Sequence, residues 1–138
     1  MTAPVRERPP TPTFLRPALA LLAGLGIFVA IVFVGTIAVF VIMGVKDATS
    51  PSPALLVAQL AVNALAALVA GFAAGRMTWG RSLYTLLLLS IIPSMSSLIP
   101  VLKGTAVGGE PQWYLYTRPA VILLGILIGG IFERRRAE

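Results

Sequence analysis

The sequence predicts an all-α protein, a four-helix transmembrane bundle with both termini cytoplasmic, and three observations carry that reading. Residues 18–45 contain no charged side chain, while a helix needs roughly 20 apolar residues to cross a hydrocarbon core of about 30 Å. Hydrophobic residues make up 57% of the chain and charged residues 12%, with a mean hydropathy of +0.91, whereas soluble domains carry about 25% charge. The third observation is punctuation: turn formers and basic residues break the apolar sequence into four runs, at about 17–45, 53–76, 82–102 and 112–132.

The first span follows a proline-rich segment, residues 1–13, that reads as a disordered tail, with little in it to pack. Pro17 suits a first helical turn, where its missing N–H has no helical acceptor. The apolar run is about twice the 7–15 residues of a signal peptide core and reaches Lys46 without a small-residue cleavage site, so it is expected to remain as a span. The segment Asp47–Pro53 (DATSPSP) is dense in turn formers. It offers Ser52 as a cap and Pro53 as the first residue of the second helix, which closes at Arg76.

A short connection, Met77–Ser82, predicts that spans two and three form an antiparallel hairpin. Pro93 interrupts the third span and should kink it. Ser90, Ser94, Ser96 and Ser97 lie close enough to satisfy the carbonyls a proline releases, or to line a polar path. For the fourth span, residues 119–132 alone would reach only about 21 Å, so the helix must open at Pro111. That start sets Trp113, Tyr114 and Tyr116 at the membrane interface and carries Arg118 into the membrane, near enough to the helix end to snorkel. The four spans and their turns form one membrane domain, residues 14–136.

Orientation follows from the basic residues. Arg6, Arg8, Arg16, Arg76, Arg81, Arg134, Arg135 and Arg136 fall on one side, and Lys46, Lys103 and Arg118 on the other. Eight against three places the termini in the cytoplasm by the positive-inside rule. The net charge of +6 and pI near 10.9 are therefore those of span ends meeting lipid headgroups, and no nucleic-acid partner is implied.

Chemistry-bearing residues are scarce. The chain has no histidine or cysteine, and Glu7, Asp47, Glu110, Glu133 and Glu138 all lie in tails, loops or span ends. Haem or thiolate ligation, histidine acid–base chemistry and a carboxylate proton path lack their groups. The sequence predicts no enzyme, no cofactor and no metal site.

Small and polar residues remain. Gly71 and Gly75, extended upstream by Ala67, and Gly125 and Gly129 form two GxxxG faces that allow backbones to approach. They are read as packing between spans two and four, or as a face for a second copy. Gln59 and Asn63, four residues apart on the second span, share one helix face. Counting from the outer surface places Gln59 and Arg118 at similar depth, so Gln59, Asn63 and Arg118 are read as an intramembrane polar cluster. It acts as interhelical glue or lines a shallow outward-facing cavity for a polar ligand.

The order AGFAAGR, short basic turn, third span and PQWYLYTRP before a glycine-rich last span ending in arginines resembles small uncharacterised four-span bacterial inner-membrane proteins over roughly residues 55–136. The resemblance implies a multi-pass protein of the bacterial inner membrane and supplies no site. The sequence thus leads to a small accessory, assembly or structural subunit whose partners are the lipid bilayer and a larger membrane complex or itself. The alternative is a protomer of a small oligomeric transporter or channel, with Gln59, Asn63, Ser90, Ser94, Ser97 and Arg118 lining its path.

Overall fold

A computed structural model describes residues 14–46, 51–78, 83–103 and 110–137. The proline-rich tail at residues 1–13 lies outside the described residues, as do residues 47–50, 79–82 and 104–109 in the connections and the final residue. Four helices make up the architecture, α1 (Leu15–Met43), α2 (Pro53–Met77), α3 (Leu83–Leu102) and α4 (Gln112–Ala137), with no strand among the described residues. Each is long and apolar enough to cross a membrane, and the chain is a multi-pass membrane protein.

Local chemistry explains the ends. Gly44 adopts the left-handed conformation (φ 61°), its N–H bonding the Val41 carbonyl at 3.3 Å while the Val45 N–H reaches Phe40 at 3.1 Å. This pair of bonds is a Schellman closure, and it stops α1 two residues before the apolar run ends at Val45. Ser52 caps α2, accepting from the Leu55 N–H at 3.3 Å, with Pro53 in the first position. At α4 the Pro111 carbonyl accepts from the N–H groups of Tyr114 and Leu115. The helix continues past Phe132 through Arg134, Arg135 and Arg136, cations that suit the negative end of its dipole.

The helices run alternately up and down. Gly24 of α1 approaches both Ala74 of α2 and Leu89 of α3, and Gly35 approaches Val62, so α1 is antiparallel to α2. Around the bundle the order is α1, α2, α4, α3, with α1 touching α3 only thinly and not packing on α4 among the described residues. The expected hairpin of spans two and three is corrected by this order: α2 and α3 lie across the bundle from each other, and α4 takes the place beside α2. The reason is steric. On α2, Ala66, Ala67, Ala70, Gly71, Ala74 and Gly75 are buried and admit a close neighbour, whereas α3 offers the bulky Leu86 and Leu89 to the centre.

That centre is filled by Phe28, Leu86, Leu89, Ile122 and Ile126 against the α2 alanines. In α1 the buried residues are Ala20, Gly24 and Phe28, and none follows Phe28. At 29 residues the helix is about 43 Å long. In its second half Ile31 and Val32 pack on the core and Gly35 meets Val62, while Phe33, Val34, Ile37, Val41 and Ile42 face outward.

Candidate functional site

The seam between α2 and α4 gathers the glycines and polar side chains. The helices are parallel and hold one register: Gln59 meets Tyr114, Gly71 meets Ile126 and Gly75 meets Gly130, each pair 55 positions apart. A Cβ on Gly71 would overlap the Ile126 carbonyl, and one on Gly129 the Leu68 carbonyl. At Gly125 the obstacle would be Ala67 Cβ at 2.7 Å, and at Gly75 the Gly130 backbone at 3.3 Å. The structure thus brings Ala67, Gly71, Gly75, Gly125 and Gly129 into one contact within a single chain. Gly130 belongs there too, as the backbone that Gly75 meets, and on its other side a Cβ would lie 2.5 Å from Leu86 of α3. The GG pair of GILIGG was its signal in the sequence.

Across from Gln59 stands Tyr114, whose hydroxyl donates to Gln59 Oε1 at 3.5 Å, the long limit of a hydrogen bond. Tyr114 is 1% exposed and turned into the bundle, whereas Trp113 (48%) and Tyr116 (60%) face outward. The ring sits edge-on to Trp113 with centroids 6.0 Å apart. A phenol carrying its own hydrogen bond is burial-tolerant in a way the aromatic cluster alone did not reveal.

Among the described residues no hydrogen bond joins Arg118 to Gln59. The register instead sets Arg118 one turn further along, 55 positions from Asn63. Asn63 is 2% exposed and spends its amide on its own helix, Nδ2 donating to the Gln59 carbonyl at 2.8 Å. Its Oδ1 is buried without a partner, and so is Arg118 Nε. One is an acceptor and the other a donor, and leaving each unpaired costs about 1–3 kcal/mol. At the opposite end of the seam Glu133 Oε2 is also buried and unpaired.

The α3 hydroxyls behave differently. Ser90, Ser96 and Ser97 donate to the carbonyls of Leu87, Ile92 and Ser94, all within α3, at 2.7–2.9 Å. Ser94 shares its proton between Ser90 (2.7 Å) and, across the interface, Pro119 of α4 (3.2 Å). The carbonyl that Pro93 releases belongs to Leu89, and none of these serines donates to it; they bond their own preceding turns instead. Comparison with protein-family models, with curated proteins and with solved structures finds no match.

Proposed function

We propose that the chain is a non-enzymatic accessory, assembly or structural subunit of the bacterial inner (plasma) membrane, with both termini cytoplasmic. The observation that carries this reading is α1, a long apolar helix with no fully buried residue beyond Phe28 and only partly buried ones, such as Ile31 and Val32, after it. Its outward Phe33, Val34 and Ile37 form a surface for another membrane helix. The bundle interior supports the same reading, because Leu89, Ile122 and Ile126 fill it and the α3 hydroxyls bond their own helix. In this reading Gln59 joins α2 to Tyr114 of α4, and Asn63 and Arg118 lie along the same seam.

A photo-crosslinking residue in place of Val34 or Ile37 should yield one discrete protein adduct in native membranes, from a larger complex or a second copy, while one in place of Leu124 on α4 should not. Adducts to lipid alone, together with a solute flux in proteoliposomes that Asn63→Leu abolishes, would favour the transporter.

A further inference from the structure

Between α2 and α4, on the outer side of the seam, runs a groove of about 340 Å³ lined by Leu68, Val69, Phe72, Ile128, Gly129 and Phe132. Its floor exists because Gly129 has no side chain: a Cβ there would collide with the Leu68 carbonyl. Leu68, Val69, Ile128 and Phe132 are all exposed, so the groove opens toward the bilayer. Lipid chains would fill any such furrow, and apolarity alone selects none of them.

Charge supplies the selection. Phe72 and Phe132 are the lining residues nearest the helix ends, and because α2 and α4 are parallel they mark the same mouth of the groove. Four residues beyond each comes an arginine, Arg76 on α2 and Arg136 on α4, both exposed. Side chains at i and i+4 share a helix face, and the step is about 6 Å along the axis. By the 55-position register Arg76 lies level with Ile131, and Arg136 about 7.5 Å further along, so two cations follow one another beyond the open end of an apolar furrow. Glu133, the acid among the described residues at this end, packs against Gly75 with its Oε2 buried, so the four exposed arginines of α2 and α4 outnumber it there.

We infer that this groove is a binding site for one anionic phospholipid, an acyl chain lying along Leu68, Phe72, Ile128 and Phe132 and its phosphate held between Arg76 and Arg136. Arginine suits the role because its planar fork pairs with phosphate through two parallel hydrogen bonds. The consequence is a preference set by headgroup charge and by two particular arginines among the five described residues of that type at this end of the bundle, Arg16, Arg76, Arg134, Arg135 and Arg136.

The test uses the full chain in mild detergent, titrated with dioleoyl phosphatidylglycerol or with dioleoyl phosphatidylcholine, which has the same chains and a zwitterionic headgroup. Bound lipid is counted by native mass spectrometry, and circular dichroism checks that each variant keeps its helices. Phosphatidylglycerol should be retained in preference, and R76Q/R136Q should weaken it by about fivefold per arginine removed. R134Q/R135Q removes the same charge but should keep the preference. Val69→Trp, filling the groove from its exposed side, should reduce retention of both lipids. Equal retention of the two lipids would overturn the site, as would an R134Q/R135Q loss as large as that of R76Q/R136Q, the mark of diffuse attraction. Inorganic phosphate displacing the lipid at low millimolar concentration would reduce the site to a headgroup contact and overturn the role of the groove.

Discussion

Gly71 presses its backbone against the carbonyl of Ile126, so that any side chain at this position would overlap the main chain of α4. A backbone obstacle cannot rotate away as a side chain can. The contact ties together the two helices with the largest shared interface in the bundle, and the nearby Gly125 and Gly129 repeat it from the other helix.

Substituting Gly71→Leu should therefore destabilise the isolated monomer by about 1–3 kcal/mol or more, as overpacking does in other cores. Gly26 is the control, since nothing lies within 4 Å of a Cβ built there. Gly26→Ala should raise stability by about 0.5–1 kcal/mol through helix propensity alone. Unfolding in mixed detergent micelles measures both. If Gly71→Leu leaves a folded monomer and abolishes only a dimer, the glycine face belongs to a second copy.

The register sets Asn63 and Arg118 across from each other, and a double-mutant cycle can detect that. Asn63→Asp places a carboxylate opposite the guanidinium, and its effect should depend on Arg118 with a coupling of about 0.5–3 kcal/mol in a cycle with Arg118→Gln. Asn63→Leu removes an acceptor that has no donor, a gain of about 1–3 kcal/mol, together with the Nδ2 bond to the Gln59 carbonyl, a loss of about 0.5–1.5 kcal/mol, so stability should hold or rise by up to about 2 kcal/mol. A coupling indistinguishable from zero would place Arg118 beyond reach of Asn63.

Hydrogen bonds between helices should contribute little individually. Ser94→Ala removes the hydroxyl shared with the Pro119 carbonyl, and Tyr114→Phe removes the long bond to Gln59. Each should cost about 0.6 kcal/mol, the average for such bonds inside membranes, with Tyr114→Phe the smaller. A loss above about 2 kcal/mol for Tyr114→Phe would mean that the 3.5 Å contact tightens in the bilayer.

Topology is tested by fusion. With both termini cytoplasmic, a reporter active only outside the cytoplasm should stay silent when joined after the last residue and report when joined in the connection between α1 and α2. The reverse pattern would invert the orientation drawn from the arginines.

By itself the sequence determined the all-helical class, the number of spans and most of their limits, because these are local quantities. An uninterrupted apolar run must hydrogen-bond to itself in lipid, and Ser52 with Pro53 starts a helix by backbone chemistry alone, whereas the left-handed Gly44 ends α1 two residues short of the expected Val45. The glycine spacing marked where backbones can meet and pointed to spans two and four, yet it left a second copy open, since a face without side chains accepts any helix of matching shape. Only the tertiary structure decided that α4 enters beside α2 and displaces α3 across the bundle, where Leu86 and Leu89 have room. Depth counted from a span end also says nothing about rotation. That is why Gln59 and Arg118 look like partners on a ruler, while packing of one glycine face on another turns Tyr114 inward to Gln59 and sets Arg118 in register with Asn63.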